Sequence, residues 1–182
     1  MIFSSIQYVL GVFLFFCSTM FLSAQTTGSR NINVNLSEVA LLDVEPAMTA
    51  ISFNFLAPTE AGRPLTIPAV NTTKWLNYTS AIKTTTPARS VSAQIDQTFS
   101  GLFIKLQASA ASGSGGGTRG TPVGKVTLTT LPTTIITGIG GAYTGNGINN
   151  GHLLNISLEM DDYKKLVQTT NKIITVTYTI SN

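Results

Sequence analysis

Short stretches in which hydrophobic and polar residues alternate recur along most of the chain. The first of them, residues 31–36, places Ile32, Val34 and Leu36 on one face and asparagines on the other, which is the pattern of a half-buried β-strand. Similar stretches follow at residues 39–44, 49–56, 73–79, 89–95, 101–108, 125–129, 133–137, 152–158 and 172–180. Their regular spacing predicts an all-β chain, an antiparallel Ig-like β-sandwich of about 8–10 short strands, with a closed barrel as the alternative.

Glycine-rich segments separate several of these stretches. Residues 111–124 are nearly all small, and Gly115, Gly117 and Gly120 match the spacing G-x-G-x-x-G. A dinucleotide-binding fingerprint joins a strand to a helix, and no helical pattern follows here, so we expect a mobile loop between strands. Residues 138–151 contain two Asn-Gly pairs, which predict turns.

The N-terminal segment differs in composition from the rest of the chain. It carries no charged side chain before residue 25, and residues 8–16 are almost entirely apolar. This pattern, ending at a small residue, predicts an export signal that is cleaved between Ala24 and Gln25. An uncleaved membrane anchor is the alternative, because the apolar run approaches the length of a membrane span. With cleavage, residues 1–24 are the signal peptide. Residues 25–182 then form a single β-sandwich domain that has no stable membrane span and is secreted, periplasmic or on the outer cell surface.

Charge and cysteine content narrow the chemistry. The chain has 11 basic and 8 acidic residues and a net charge of +3, which is too weak and too dispersed for a nucleic-acid surface. Its only cysteine, Cys17, lies inside the predicted signal. The cleaved chain would therefore have no thiol for a disulfide, a nucleophile or a metal site. We expect no nucleic-acid partner and no cofactor.

Few side chains offer catalytic chemistry. His152 is the only histidine, and at the start of a predicted strand it is expected on the surface or in a turn. Asp43 and Glu45 lie two residues apart on a predicted strand, so they share a face, and two carboxylates that flank a substrate are the minimum for glycoside hydrolysis. We interpret this pair as a solvated strand end, and we predict no catalytic residue and no enzymatic activity.

A second acidic group is a candidate for binding Ca²⁺. Glu159, Asp161 and Asp162 lie close together in the sequence, and oxygen donors in a loop can hold this ion. They lack the D-x-D-x-D-G spacing of a known calcium loop. The sequence therefore predicts no metal site here.

Two aromatic residues are candidates for opposite roles. Trp75 is the only tryptophan and lies in the stretch 73–79. A sugar-stacking platform is one interpretation, but in a chain of this size we predict that Trp75 is a core anchor. Tyr143 lies in the segment rich in glycine and asparagine, where an exposed ring would be a ligand contact.

Four segments of the chain support a resemblance to known proteins: residues 33–45, 75–80, 138–151 and 175–180. The chain resembles small secreted β-sandwich proteins from Gram-negative bacteria of the Bacteroidota type. Its ending, Thr-Val-Thr-Tyr-Thr-Ile, is similar to the last strand of WxL-type surface domains and of spore-coat-U-like pilin subunits. Both groups have Ig-like sandwiches, so the resemblance implies that architecture and a surface location. The chain departs from them because Trp75 is followed directly by Leu76 and because a cysteine pair is lacking.

These observations favour a non-catalytic structural or adhesion-type protein, such as a fimbria-like assembly subunit. It would associate with itself or with other surface subunits through β-strand edges, because a sandwich leaves edge strands open. Ile32, Val34 and Leu36 have the alternation of a donated strand, but the pattern favours the plainer interpretation, in which they form the first strand of their own sandwich. The alternative function is an extracellular carbohydrate- or ligand-binding module that uses Tyr143. A hydrolase using Asp43 and Glu45, or His152, is a third hypothesis.

Overall fold

The computed structural model describes residues 27–182, so the predicted signal peptide and its cleavage site between Ala24 and Gln25 lie outside the described residues. Contacts divide the chain after Asn35, and the residues that follow form one compact unit. Its strands are β1 (Val39–Glu45), β2 (Asn71–Ala81), β3 (Arg89–Ile95), β4 (Leu102–Ala108), β5 (Gly116–Pro122), β6 (Val126–Thr127), β7 (Thr133–Tyr143), β8 (His152–Met160) and β9 (Val176–Ser181). Within residues 27–182 the only helical element is a 3-10 turn at Tyr163–Lys165. No described helix is long and apolar enough to cross a membrane.

The strands form one antiparallel sheet, which confirms the predicted all-β antiparallel class. The main path runs β6-β4-β8-β2-β7-β3-β9, while β1 pairs with β2 and β5 pairs with β7. β2 and β7 are the two branch points of the sheet. One edge of β2 pairs with β1, whereas on the other edge residues 71–76 pair with β8 and residues 79–80 pair with β7.

The sheet folds over itself around one hydrophobic core. Leu106 of β4 and Leu154 of β8 belong to the same buried cluster as Val91 of β3 and Ile136 of β7. The two halves of the sheet therefore face each other in a sandwich-like arrangement. Burying aliphatic side chains of this size contributes about 1.5–3 kcal/mol each, so core burial is the main term that stabilises the fold.

Along β1 and β9 the core is less completely covered. The side chains that pack against it from this region are only half-buried: Leu42, Val44, Ile51, Phe53, Ile174, Val176, Tyr178 and Ile180. β9 pairs with β3, and β1 pairs with β2. Each is thus an edge strand with a partly exposed hydrophobic face.

The glycine-rich segment 111–124 is not a mobile loop, and that prediction was wrong. Residues 116–122 form β5, which pairs with β7. Gly120 has a φ of +74°, and a Cβ there would lie 2.6 Å from the carbonyl oxygen of Thr137. The missing side chains let β5 lie close against β7, and they also remove the alternation by which a strand is recognised in a sequence.

The predicted first strand is not formed. Residues 31–36 belong to no strand of the described structure, and Ile32, Val34 and Leu36 are 85%, 82% and 84% exposed. The stretch 49–56 keeps its alternation, since Ile51 and Phe53 pack against the core, but only Leu56 makes a strand bridge, to Thr66. Alternation assigns residues to faces, whereas a strand also needs a neighbouring strand for its backbone hydrogen bonds.

Trp75 is half-buried and lies outside the buried core, so the prediction of a core anchor was wrong. The side chains of a strand alternate between faces, and Leu76 and Tyr78 are the residues of β2 that point into the core. Trp75 is therefore on the opposite face of β2, in register with Glu45 of β1.

Candidate ligand groove and the polar cluster beside it

The outer face of β1 and β2 carries a regular row of side chains. Leu41 is paired in register with Thr79, and Asp43 with Asn77. Directly opposed residues of an antiparallel pair lie on the same face of the sheet. Thr79 is also in register with Tyr143 of β7. The pairing therefore places Tyr143 and Asp43, two residues singled out separately in the sequence, on one surface.

These side chains line an open groove of about 380 Å³. The lining includes the carboxylate of Asp43, the hydroxyl-bearing Thr79, the ring of Tyr143 and the amide of Asn146, with Leu41 as an apolar wall. Its only charged side chain is that of Asp43. The groove thus combines an aromatic surface with hydrogen-bonding groups and one negative charge.

The ring of Tyr143 is exposed and lies against β5. Its side chain is 55% exposed, and it is paired in register with Gly116 of β5. A Cβ on Gly116 would lie only 3.2 Å from Cε1 of Tyr143. Glycine therefore lets the ring lie against the backbone of β5. The expectation of an exposed Tyr143 holds in the structure, and its role as a ligand contact stays a prediction.

The loop that follows Tyr143 is fixed by asparagine side chains. Asn77 is buried, its Oδ1 accepts from the backbone N–H of Gly147 at 2.7 Å, and its Nδ2 donates to the carbonyl of Asn150 at 2.7 Å. The amide of Asn150 in turn donates to the carbonyl of Asn146 at 2.8 Å. These bonds hold Asn146 at the rim of the groove without using its side chain.

His152 is completely buried, so its predicted place on the surface was wrong. It is the first residue of β8 and is paired with Leu76, so its ring points to the core side. Its Nδ1 lies 2.8 Å from the carbonyl oxygen of Ser109, and its Nε2 lies 2.9 Å from Oη of Tyr78. Oη of Tyr78 also donates to the carbonyl of Arg119 in β5.

The hydrogen-bond partners indicate the protonation state of this cluster. A carbonyl oxygen can only accept, so Nδ1 of His152 carries a proton toward Ser109. Burial lowers the pKa of His152 below its ordinary value of 6.5. Burial also raises the pKa of Tyr78, which stays protonated. The cluster ties β2, β5 and β8 together, and solvent does not reach the imidazole.

The other acidic candidates lie apart from the groove and next to lysines. Glu159 is 3.5 Å from Nζ of Lys105 and 3.4 Å from Nζ of Lys125. Asp161 and Asp162 each lie 3.7 Å from Nζ of Lys165. Within residues 27–182 no three metal-ligating side chains come together. The three candidate calcium ligands are therefore in ion pairs in this structure.

Asp43 and Glu45 do share a face of β1, as their spacing predicted. Each carboxylate accepts from nearby backbone: Asp43 from the N–H of Val44 at 2.7 Å, and Glu45 from the N–H of Ala47 at 3.0 Å. The sequence did not indicate that Asp43 and Tyr143 line the same groove, because that arrangement depends on the pairing of β1 and β7 with β2. It also missed the bond between Tyr78 and His152. The one local signal for that bond was that Tyr78 lies on the same face of its strand as the apolar Leu76, which places the tyrosine on the core side.

Comparison with known proteins does not extend this geometry, because no protein-family model, no curated protein and no solved structure matches the chain.

Proposed function

We propose that the protein is a non-catalytic structural protein of the cell surface or periplasm, a fimbria-like subunit that self-associates by donating a strand. The observation that carries this proposal is the exposure of Ile32, Val34 and Leu36, at 85%, 82% and 84%. Aliphatic side chains exposed in a row usually mark an interaction surface. In the proposed assembly they pack on a second copy of the chain.

The donor segment, which we define as residues 31–36, has the chemistry of an added strand. Its aliphatic residues alternate with Asn31, Asn33 and Asn35, so one face can be buried while the other stays in water. None of its described residues belongs to a strand. Pairing with another chain would satisfy its backbone and remove its aliphatic side chains from water.

The free edge of β1 supplies a suitable acceptor. The backbone of Tyr78 bonds to Thr144, through N–H to Oγ1 at 2.9 Å and through the carbonyl to the N–H at 3.0 Å. The backbone of Tyr78 therefore points away from β1. In an antiparallel pair, the backbone of its partner Leu42 then points away from β2. The same holds for Ala40, two residues earlier.

The hydrophobic surface next to this edge also suits a donated strand. Leu42 and Val44 of β1 and Val176 and Ile180 of β9 pack against the core but stay half-buried. Aliphatic side chains from a second copy would complete this cover. The acceptor in the proposal is thus the outward edge of β1 together with this half-covered part of the core.

The remaining parts of the proposal have separate support. The apolar, uncharged residues 1–24 support export, and the resemblance to secreted β-sandwich proteins supports an Ig-like surface subunit. The absence of catalysis is supported by His152, a candidate of the hydrolase hypothesis, because its ring is inaccessible.

The first experiment removes the donor. The protein without residues 1–24 is compared, by size-exclusion chromatography with light scattering, with a variant that also lacks Gln25–Leu36. We expect assemblies for the first and a folded monomer for the second. Replacing Ile32, Val34 and Leu36 by asparagine should have the same effect. Replacing Asn31, Asn33 and Asn35 by serine is the matched control, because it changes the other face of the segment and should leave assembly intact.

The second experiment separates donor from acceptor. Ala40→Pro removes an outward N–H from β1 and should block the acceptor edge. Neither this variant nor the donor deletion should assemble alone, but a mixture should form one-to-one heterodimers, with the Ala40→Pro chain as donor. Unchanged oligomers after the donor deletion would refute the proposal. A mixture that stays monomeric, or a starting protein that is itself monomeric, would also refute it.

A further inference from the structure

The groove beside β1 points to a second activity that goes beyond self-association. Its lining brings the exposed ring of Tyr143 together with Asp43, Thr79 and Asn146. From this geometry we propose that the groove binds a neutral carbohydrate. One sugar ring stacks on Tyr143, and hydroxyl groups of the bound saccharide bond to the carboxylate of Asp43 and the amide of Asn146.

The free polar atoms of the groove suit hydroxyl groups. Oδ1 of Asp43 accepts from the N–H of Val44, while its Oδ2 has no hydrogen-bond partner among residues 27–182. The side-chain amide of Asn146 and the hydroxyl of Thr79 are likewise without a partner in the described part of the chain. A carboxylate accepts from two sugar hydroxyls and an amide both donates and accepts, so together they match the alternating donors and acceptors of a saccharide.

The shape and rigidity of the groove support the same ligand class. The ring of Tyr143 lies against Gly116, and the hydrogen bonds of Asn77 and Asn150 fix the loop that carries Asn146. A loop backbone that is already ordered lowers the ordering cost of binding. The groove is open and about 380 Å³ in volume, which suits a short stretch of a chain at the surface.

The charge of the groove selects among ligands. Asp43 is the only charged residue in its lining, which contains neither lysine nor arginine. Phosphates, sulfated sugars and uronic acids would meet an unbalanced negative charge and are disfavoured. A small organic cation could pair with Asp43 and lie over the ring, so it is the competing ligand that the experiment must distinguish.

The test uses four variants of the protein and defined neutral probes. Retardation is measured by affinity electrophoresis in gels that contain soluble β-glucan, mannan, xylan or starch. The hexasaccharide of the retarding polymer is then titrated by calorimetry. Tyr143→Ala should weaken binding about tenfold or more, since it removes the stacking surface. Tyr143→Phe should retain binding, and Asp43→Asn should weaken it severalfold. Tyr163→Ala is the matched control, because Tyr163 is also exposed but lies on the 3-10 turn, outside the groove.

The outcomes are separable from those of the assembly experiments. The same measurements are repeated on the variant in which Ile32, Val34 and Leu36 are asparagine, so a failure of self-association leaves the groove intact. Each variant must unfold at the same temperature as the parent protein. Retardation that persists in Tyr143→Ala overturns the proposal, and so does silence across all four polymers. Binding of choline without binding of any saccharide would assign the groove to cations and overturn it as well.

Discussion

The free edges of β1 and β5 differ, although both strands branch off the main path of the sheet. Each is paired with one of the two longest strands, β1 with β2 and β5 with β7. β1 keeps an unbroken register with β2 from Val39 to Glu45. The pairing of β5 with β7 shifts in register between Gly117 and Arg119. Moreover, the carbonyl of Arg119 already accepts from Tyr78. One edge is regular and open, whereas the other is irregular and tied to the core.

This difference shows how a sheet can protect one edge and leave another available. β5 contains positive-φ glycines and ends at Pro122, and irregular backbone and proline are two of the devices that keep strand edges from pairing with other chains. β1 has a continuous register with β2, and Leu41 on it is exposed. The backbone N–H and carbonyl of Ala40 point away from β2. Of these two edges only β1 is suited to receive another strand, which agrees with its role in the proposed assembly.

The largest expected effect concerns the close fit of β5. Gly120→Ala combines a positive φ with a Cβ 2.6 Å from the carbonyl oxygen of Thr137, and we expect it to lower the free energy of unfolding by about 3 kcal/mol or more. Gly124→Ala is the matched control. Its φ is +99° with no atom within 4 Å of the added Cβ, so it should cost only about 1–2 kcal/mol. Urea titration measures both, and equal losses would contradict the close packing of β5 on β7.

A smaller effect should separate the two sides of β1. Leu41→Pro removes an N–H that points toward β2, because the neighbouring Leu42 points away, and it should cost about 1–3 kcal/mol. Ala40→Pro removes an outward N–H and should change stability by less than about 1 kcal/mol. Thermal and urea unfolding of the two variants check the prediction. If Ala40→Pro destabilised the protein as much as Leu41→Pro, the N–H of Ala40 would not point away from β2.

The tie between β5 and the core should make stability depend on pH. Burial lowers the pKa of His152 in the folded protein below 6.5, its value in an unfolded chain. As the pH falls through 6.5, the unfolded chain binds a proton at His152 that the folded protein does not bind, so the free energy of unfolding decreases. It is fully retained above the unfolded pKa and levels off below the folded one. His152→Gln should remove this part of the pH dependence in urea titrations. A wild-type and a variant curve that run parallel would show that His152 is not the titrating group.

The smallest effect concerns a side chain that occupies an outward N–H of β1. The carboxylate of Asp43 accepts from the N–H of Val44 at 2.7 Å, and this N–H is on the outward side of the strand. Asp43→Ala would free it for a donated strand, and we expect a gain in self-association of about 2–10-fold, the worth of one hydrogen bond. Sedimentation equilibrium measures the change, with Glu45→Ala as control. Weaker association in Asp43→Ala would mean that this edge is not the acceptor.

The sequence predicted the strands whose side chains alternate between a buried and an exposed face. β3 and β4 match the predicted ranges within a residue, because from Val91 in β3 and from Leu102 in β4 every second residue is a buried aliphatic or alanine side chain. Trp75 could also have been placed correctly. It shares its face of β2 with Asn77 and Thr79, whereas the other face holds Leu76 and Tyr78, and the more apolar face is the buried one.

Other features depend on pairing between distant parts of the chain. β5 has no side-chain pattern to detect, since glycine occupies three of its positions, Gly116, Gly117 and Gly120. The burial of His152 depends on Ser109 and Tyr78 being next to it. The groove requires residue 43 and residue 143 to pair with the same strand. A local sequence pattern holds no information about such register. The sequence therefore indicated Asp43 and Tyr143 as separate candidates, but not that they line one groove.

The branching of β2 has a consequence for the order in which the protein can fold. One edge of β2 pairs with β1, the strand that precedes it in chain order. The other edge pairs with β7 and β8, which follow much later in the chain. During synthesis β1 and β2 can form a two-stranded unit early, while the second edge of β2 must wait for the C-terminal half. Such distant contacts slow folding and leave an edge open to misassembly in the meantime. The strand that unites the sheet is therefore also the one whose pairing is completed late.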